Sequence, residues 1–263
     1  ERPQRGRCRE FVQCDIDVIG DESYNAEIEL ITATGRALLR LPIGDFFIRV
    51  NNRQVLKAVL LSFGFEENSL DNICIILDKL DKIGVDGVVN ELEEASYGHD
   101  AILKLKDLIS RPVTLDMIEK IIPQNPNLEI LNKVIDGANA LADSKYKVVY
   151  DFSLVRGQGY YTGCVFEIAS SKFGGTIGGG GRYDNLIGKF TGEATPAVGF
   201  SIGFERIYAI LHEIGFKVPG RKKLAIIYKN DYIGAFKLAD TYRNTYEVSM
   251  YAFPKKVGKL LNV

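Results

Sequence analysis

About ninety residues with helical periodicity interrupt the strand-like segments of this chain, and that interruption limits the folds open to it. Between Val55 and Asp143, apolar residues recur three or four positions apart, and glycines and prolines separate successive helices. One such apolar stripe runs from Ile73 to Ile83. The segments on either side instead alternate apolar and polar residues, which is typical of strands. We therefore predict a helical insertion domain at residues 56–146.

Strand-like segments lie on both sides of this insertion. Before it, a helical pattern at Tyr24–Leu39 lies between two strand-like segments, Phe11–Ile19 and Asp45–Val50. After it, the strand-like segments are Lys147–Val155, Tyr160–Ala169, Gly174–Gly180 and Pro196–Phe200. A helical pattern then begins at Gly203. The alternation in Phe11–Ile19 predicts one packed face and one open face. Short, glycine-bearing links favour antiparallel pairing over β-α-β crossovers. We therefore predict an α+β fold, an antiparallel sheet flanked by helices, built from residues 1–55 and 147–219.

A separate β-α-β pattern begins near residue 222. It comprises Leu224–Tyr228, Ala235–Arg243 and Glu247–Ala252, and a further helix begins at Lys255–Leu261 as the chain ends. We expect these residues to form part of an α/β domain at 222–263.

Composition argues against several classes of protein. The net charge of −1 gives no global basic field, so a nucleic-acid partner would need a local patch. No stretch approaches the roughly 18 apolar residues that span a bilayer, and residues 1–5 do not resemble a signal peptide. Four scattered cysteines and two histidines lack the spacing of a zinc site. We expect no membrane segment, no protein-bound metal, and reduced thiols in the cytoplasm.

An amide and two carboxylates share the open face of the first strand. Gln13, Asp15 and Asp17 alternate with apolar residues, so their side chains point the same way. At roughly 3.3 Å per residue, Gln13 and Asp17 are about 13 Å apart, which leaves room for a small amino acid. These residues form a candidate ligand site, and a solvated sheet face is the alternative.

Two glycine-rich segments add candidate residues. At 156–163 (RGQGYYTG), an arginine leads from a strand into glycines that permit a tight turn, and Tyr160 and Tyr161 follow. A plain hairpin with surface tyrosines is the alternative. At 178–184 (GGGGRYD), the spacing fits neither a P-loop nor a dinucleotide-binding loop. Successive glycines within a strand instead predict a flat surface for a planar ligand.

A third segment, GFSIGFER at 199–206, combines a bare strand face with an arginine. Gly199, Ser201 and Gly203 are small residues at a period of two, and Arg206 follows at the start of a helix. The N-terminal end of a helix favours phosphate, and arginine binds phosphate oxygens through a pair of N–H groups. The pattern predicts a phosphate contact. The alternative is a helix packed closely on the sheet beside an exposed arginine.

Together these segments resemble the histidyl-tRNA synthetases, a family of class II aminoacyl-tRNA synthetases, along almost the whole chain. Residues 1–11 (ERPQRGRCREF) are similar to the second class II motif, entered partway, and residues 199–206 to the third. The segment RGQGYYTG resembles the histidine-specific signature. The resemblance implies a class II synthetase-like sheet with a helical insertion and a partial anticodon-binding domain.

The resemblance also implies roles for single residues. The residues expected to contact histidine are Gln13, Asp17, Arg156, Tyr160 and Tyr161, and those expected to contact ATP are Glu1, Arg7, Phe11 and Arg206. Arg156 is expected to be the catalytic residue, which contacts the substrate carboxylate and the α-phosphate. Two departures from the family pattern stand out. Asp17 stands where the family usually has a glutamate, which shortens the reach to the imidazole. Gln158-Gly159 replaces the commoner Leu-Asp, which bears on how Arg156 is oriented.

The implied activity is ATP-dependent activation of L-histidine to histidyl-adenylate, with Mg²⁺, and transfer to tRNA(His) by a homodimer. The sequence contains neither the family's first motif nor the arginine expected just ahead of the matched glutamate, so we expect this chain to be inactive alone. Two alternatives stay open. One is the paralogous regulatory subunit of ATP phosphoribosyltransferase, and the other is a synthetase-like domain that senses tRNA.

Overall fold

The computed structural model describes residues 9–155, 159–218 and 220–253. The chain divides into two compact units between Ile214 and Gly215. The first unit contains a six-stranded sheet with its helices, and the second contains a two-stranded sheet with one described helix.

The larger sheet is mainly antiparallel. Its strands are β1 (Gln13–Ile19), β2 (Phe46–Asn52), β3 (Lys147–Tyr150), β4 (Cys164–Ser170), β5 (Gly175–Arg182) and β6 (Ala197–Gly203). Their order across the sheet is β1-β6-β5-β4-β2-β3, so β1 and β3 are the edges. Every neighbouring pair is antiparallel except β2 and β3, which are parallel and are joined by the long helical segment. The predicted α+β fold is confirmed.

Helices occupy most of the connections in this unit. They are α1 (Asn25–Leu38), α2 (Arg53–Phe63), α3 (Leu70–Leu77), α4 (Leu80–Glu94), α5 (His99–Ile109), α6 (Leu115–Ile121), α7 (Pro126–Ala142), α8 (Asp184–Thr191) and α9 (Phe204–Glu213), with a 3-10 turn at Glu67–Ser69. The Asn52 side chain accepts hydrogen bonds from first-turn N–H groups of α2, which ends at Gly64 in a left-handed conformation (φ 103°). Asn125 caps α7 in the same way, and Pro126 occupies its first turn. Local capping signals therefore set these boundaries.

The apolar stripe from Ile73 to Ile83 is divided between two helices. Helix α3 ends at Leu77, α4 begins at Leu80, and Gly84 interrupts α4 with a non-helical backbone (φ 69°, ψ 179°). Glycine adopts a positive φ at little cost, so the chain bends here although the apolar periodicity continues.

One hydrophobic core joins the sheet and the helical segment. Helix α7 packs against α1, β2 and β3. Ile31, Leu56, Leu92 and Phe166 belong to a single buried cluster, and each is no more than 1% exposed. The helices between β2 and β3 therefore fold onto the same core as the sheet, while the predicted domain boundaries within this unit remain predictions.

The edge strand β1 differs from its prediction. Val12 and Ile16 are 57% and 40% exposed, and Val18 packs only partly against the core. Helix α1 contacts this edge strand but leaves much of its apolar face uncovered. The prediction of a packed face was wrong for this stretch. Alternation shows which residues share a face, but it does not show whether another element covers that face.

Helix α1 approaches β3 closely at Gly35. A Cβ here would overlap the ring of Tyr146, which is buried and stacks on Phe46 with ring centroids 5.4 Å apart. We expect Gly35→Ala to lower the free energy of unfolding by about 1–3 kcal/mol, the usual cost of overpacking a core. Helix propensity alone predicts the opposite, a gain of about 1 kcal/mol. Chemical denaturation measures the sign, and a stabilised variant would rule out the close approach. Adding Tyr146→Leu should recover part of the loss.

The second unit is a small β-α-β arrangement. Strands β7 (Lys222–Tyr228) and β8 (Tyr246–Ala252) are parallel, and α10 (Tyr232–Tyr242) connects them. The predicted order of these elements is confirmed, while the further helix predicted at 255–261 lies outside the described residues. Among the helices described in either unit, none is both long and apolar enough to cross a lipid bilayer.

Candidate active site

Five strands contribute one row of residues across the face of the larger sheet. Each residue of the row lies opposite the next one on the neighbouring strand. In order across the sheet they are Arg49 on β2, Glu167 on β4, Gly179 on β5, Ser201 on β6 and Asp15 on β1. Opposite residues on one face of a sheet have Cβ positions about 4.5–5.5 Å apart. The row is charged at both ends and small in the middle, which leaves a depression over Gly179 and Ser201.

Two adjoining cavities occupy this face. The β1 pocket has a volume of about 290 Å³ and is lined by residues that include Gln13, Asp15, Asp17, Tyr160, Tyr161 and Tyr183. The α4 cleft has a volume of about 820 Å³ and is lined by residues that include Phe11, Arg49, Asp81, Lys82, Glu167 and Arg206. Gln13, Gly179 and Ser201 line both cavities, so the pocket and the cleft lie side by side.

The β1 pocket brings together four of the residues predicted to bind histidine. Gln13 and Asp17 come from β1, and Tyr160 and Tyr161 come from the segment before β4. Gln13 Nε2 donates a hydrogen bond to Ser201 Oγ at 2.6 Å, and the rings of Tyr160 and Tyr161 have centroids 4.5 Å apart. The pocket therefore has an amide and a carboxylate on one side and aromatic rings on the other.

Tyr183 completes the β1 pocket, and it was not among the predicted site residues. Its hydroxyl donates a hydrogen bond to Asp17 Oδ1, and its ring stands edge-on to Tyr160 with centroids 6.4 Å apart. Burial raises the pKa of the Tyr183 hydroxyl, and the hydrogen bond to Asp17 raises it further. The phenol therefore stays protonated and orients Asp17. In the sequence, the only signal was its position just after the glycine run of β5.

A glycine on β6 makes room for this pair. Gly199 lies opposite Asp17, and a Cβ at this position would overlap the Asp17 carboxylate and lie 3.1 Å from the Tyr183 ring. Of the small residues predicted along this strand, Gly199 is therefore needed where the carboxylate and phenol meet. Asp15 lines the same pocket, so the pocket has two carboxylates and suits a ligand with N–H donors or positive charge.

The α4 cleft contains two of the residues predicted to bind ATP. Phe11 and Arg206 both line it, and the Phe11 ring is 57% exposed and open to stacking. Arg206 Nη1 donates a hydrogen bond to the carbonyl oxygen of Thr176 at 2.5 Å, and its guanidinium lies 6.0 Å from the centroid of the Phe173 ring. These contacts hold a positive charge at the start of β5, on the wall of the cleft.

Arg49 gathers a cluster of carboxylates at the base of the same cleft. It donates hydrogen bonds to Asp151 at 2.5 Å, Glu167 at 3.2 Å, Asp81 at 3.1 Å and Ser153 at 3.0 Å. Burial lowers the pKa of Arg49, but the Asp151 hydrogen bond and the three carboxylate charges outweigh it, so the pKa is raised. No local sequence pattern indicates this cluster, because the acidic partners lie 32 to 118 residues away along the chain.

Three predicted site residues cannot be placed in this geometry. Glu1, Arg7 and Arg156 lie outside the described residues. The contacts assigned to them by resemblance, with the adenine edge and with the phosphates, stay predictions.

The described residues do not form a protein cage for a metal ion. Nowhere in 9–155, 159–218 or 220–253 do three or more histidine, cysteine, aspartate or glutamate side chains come together to hold one. Magnesium is commonly bound through one or two carboxylates together with substrate phosphates. Glu167 and Glu205 both line the α4 cleft. This donor set fits a magnesium ion that arrives with a nucleotide, with either carboxylate as a ligand.

Comparison with known proteins identifies the family. The family model described as histidyl-tRNA synthetase matches residues 1–207. The chain belongs to the histidyl-tRNA synthetase family. The histidine–tRNA ligase of Leifsonia xyli subsp. xyli (strain CTCB07) is 44% identical over 223 residues, which cover 80% of this chain and 51% of that protein. The cytoplasmic histidine–tRNA ligase of Oryza sativa subsp. japonica is 36% identical over 231 residues, which cover 81% and 29%. This synthetase-family chain thus spans about half the length of the first relative and less of the second.

Solved structures support the same fold. The histidyl-tRNA synthetase of Nostoc sp. PCC 7120 aligns with a TM-score of 0.80 at 28% identity, covering 97% of this chain and 64% of that one. An ATP phosphoribosyltransferase regulatory subunit/histidyl-tRNA synthetase from Bacillus halodurans C aligns with a TM-score of 0.74 at 23% identity, covering 96% and 66%. The class II synthetase-like fold is confirmed, and the second likeness concerns the fold alone.

Proposed function

We propose that this chain provides the catalytic core of a cytoplasmic enzyme that activates L-histidine with ATP and transfers it to tRNA(His). The main support is the β1 pocket, where Gln13, Asp17, Tyr160 and Tyr161 line one cavity of about 290 Å³. That pocket adjoins the α4 cleft, which Arg206 lines. A small amino acid and a nucleotide therefore have adjoining sites on one face of the sheet.

The chemistry of the β1 pocket suits an imidazole ring. A ring N–H donates a hydrogen bond to the Asp17 carboxylate, which also accepts one from Tyr183. The rings of Tyr160 and Tyr161 cover the substrate ring. A site built to hydrogen-bond its substrate rejects analogues that lack the donor by about 10⁴–10⁵. Selection of histidine over apolar amino acids therefore depends chiefly on Asp17.

In the activation step, a carboxylate oxygen of histidine attacks the α-phosphorus of ATP. The new P–O bond forms as the bond to pyrophosphate breaks, and negative charge accumulates on the phosphate oxygens. Arg206, together with Arg7 and Arg156, is proposed to stabilise that charge, and Arg156 to span the substrate carboxylate and the α-phosphate. Phe11 is proposed to stack on adenine, with Glu1 at its edge. Bound Mg²⁺ supplies further neutralisation of the phosphates.

In the transfer step, a terminal hydroxyl of tRNA attacks the carbonyl carbon of histidyl-adenylate and AMP leaves. Basic residues on the helical segment give this partner little support, because their charges are mostly paired. Lys79 pairs with Glu91 at 2.6 Å, Lys106 with Asp86 at 3.5 Å, and Arg111 with Asp107 at 2.8 Å. Lys82 instead lines the α4 cleft. Membership of the family, rather than a basic patch, therefore supports the tRNA proposal.

We also propose that the whole protein is a homodimer. Apolar side chains are exposed at two places, Val12 and Ile16 in and just before β1, and Phe204 and Tyr208 on α9. Burial of such surface against a second copy is the usual way that an apolar face is removed from water. Sedimentation equilibrium tests this, and a protein that stays monomeric at all concentrations would argue against it.

Histidine-dependent exchange of labelled pyrophosphate into ATP tests the activation step. We expect incorporation only when L-histidine, ATP and Mg²⁺ are all present. The regulatory-subunit alternative, favoured only by a fold match at a TM-score of 0.74, predicts histidine binding without exchange. Because the chain spans 51% of its Leifsonia relative, the assay requires this chain and a form extended to that length. An extended form that neither exchanges pyrophosphate nor binds histidine would refute the proposal.

A further inference from the structure

Arg49 is not among the residues to which the proposed reaction assigns a role, yet it lines the α4 cleft and is paired with three carboxylates. Its side chain is 16% exposed, and one guanidinium contacts three carboxylates and a hydroxyl. The partners come from three different parts of the fold. Glu167 belongs to β4, Asp151 and Ser153 follow β3, and Asp81 belongs to α4. Arg49 therefore joins the floor of the cleft to one of its walls.

The wall that Arg49 reaches packs against the core through Leu80 and is exposed at Asp81. Asp81 is 65% exposed, and it lies in the short part of α4 that precedes the bend at Gly84. Lys82, from the same turn, lines the cleft beside it. The Arg49–Asp81 contact at 3.1 Å thus ties a turn with little burial to a well-packed strand.

We propose that Arg49 is a positioning residue for the nucleotide: it holds Glu167 on the floor of the α4 cleft and holds the first turn of α4 as its wall. This inference rests on the proposed function, because it takes ATP as the ligand of the cleft. Arginine is required because its planar guanidinium presents five N–H donors in a fixed arrangement. Lysine keeps the charge, but its ammonium cannot reach carboxylates in three directions.

Charge and position predict opposite results for one substitution. Asp81→Asn removes a negative charge from a cleft that must accept a triphosphate, so electrostatics alone predicts tighter ATP binding. If the main role of Asp81 is to anchor the wall to Arg49, the same change weakens ATP binding, because an uncharged amide oxygen accepts the hydrogen bond from Arg49 more weakly than a carboxylate does. The direction of the change therefore separates positioning from simple charge balance.

Calorimetric titration of the form extended to the length of the Leifsonia relative, with Mg–ATP and, separately, with L-histidine, tests the proposal. We expect Arg49→Lys to weaken ATP binding about tenfold, equivalent to about 1.4 kcal/mol. Asp81→Asn should weaken ATP binding several-fold. Histidine binding should stay within about twofold in both variants, because neither Arg49 nor Asp81 lines the β1 pocket. This split between the two ligands is not expected from a general loss of stability.

The matched control is Arg53→Lys. Arg53 is also a poorly exposed arginine, 6% exposed and paired with Asp71 at 3.0 Å, but it does not line the α4 cleft. We expect this variant to bind ATP like the unsubstituted chain. ATP binding unchanged in Arg49→Lys, or tightened in Asp81→Asn, would overturn the positioning role and leave the proposed function standing. An unsubstituted extended form that binds histidine but no ATP would overturn both.

Discussion

Glu27→Ala is expected to lower the free energy of unfolding of the larger unit by about 3–5 kcal/mol, a large part of the stability of a typical domain. The Glu27 carboxylate on α1 accepts two hydrogen bonds from Arg182 on β5, through Nε and Nη2, each at 2.6 Å. The side chains of Glu27 and Arg182 are 2% and 9% exposed. Removing the carboxylate leaves a buried guanidinium with Asp184 and two backbone carbonyl oxygens as hydrogen-bond acceptors.

A surface pair provides the matched control for this prediction. Glu129 and Lys133 on α7 are also bridged at 2.6 Å, but their side chains are 68% and 47% exposed. Water and salt screen exposed pairs, so we expect Glu129→Ala to leave the denaturation midpoint almost unchanged. Both variants are compared by urea denaturation followed by circular dichroism. Equal, small losses in the two variants would mean that Arg182 is rehydrated without cost, contrary to the expectation.

Asp17→Ala is expected to weaken the binding of histidine by about 1–3 kcal/mol, which is roughly 5- to 150-fold in affinity. The affinity for ATP should stay within about twofold of that of the unsubstituted protein. The bound imidazole would lose the carboxylate that accepts its ring N–H, and the Tyr183 hydroxyl would lose its acceptor as well. Asp17 lines the β1 pocket but not the α4 cleft, so the effect should be confined to the amino acid. Calorimetric titration with each ligand measures the two affinities.

Two further variants show which part of this effect belongs to Asp17 itself. Asp17→Asn keeps the size of the side chain and one acceptor oxygen, so a smaller loss is expected. Tyr183→Phe keeps the ring and removes the hydroxyl that orients the carboxylate, so we expect a loss of several-fold, about the worth of one hydrogen bond. Equal losses of histidine and ATP in Asp17→Ala would make Asp17 a structural residue.

Much of the fold could be predicted because its signals are local. The alternation around Gln13 and Asp17 placed both side chains on one face, and the structure has them on the wall of one pocket. Small residues at 199, 201 and 203 predicted a bare strand face, and Gly199 proved necessary beside the Asp17 carboxylate. Neither inference needed a partner distant in sequence, since the period of a strand already sets which residues share a face.

Other features of the site could not be predicted because their cause is not local. Tyr183 follows a glycine run that indicated only a flat strand, and its role appears once β5 and β6 bring its hydroxyl to Asp17, 166 residues away. The exposure of Val12 and Ile16 depends on the position of β1 at the edge of the sheet. Strand order is a property of the whole chain, and residue periodicity within one strand carries no information about it.

The sequence by itself determined the elements, the faces they present and the family, because periodicity, capping residues and motif spacing act over a few neighbouring residues. Only the tertiary structure decided that Arg49 holds Glu167 and Asp81, and that Glu27 is paired with Arg182. Arg49 and Glu167 are 118 residues apart along the chain, and Glu27 and Arg182 are 155 apart. Such pairs form because the order β1-β6-β5-β4-β2-β3 brings together strands that are distant along the chain. A buried charge in this region is stable only when its oppositely charged partner is present.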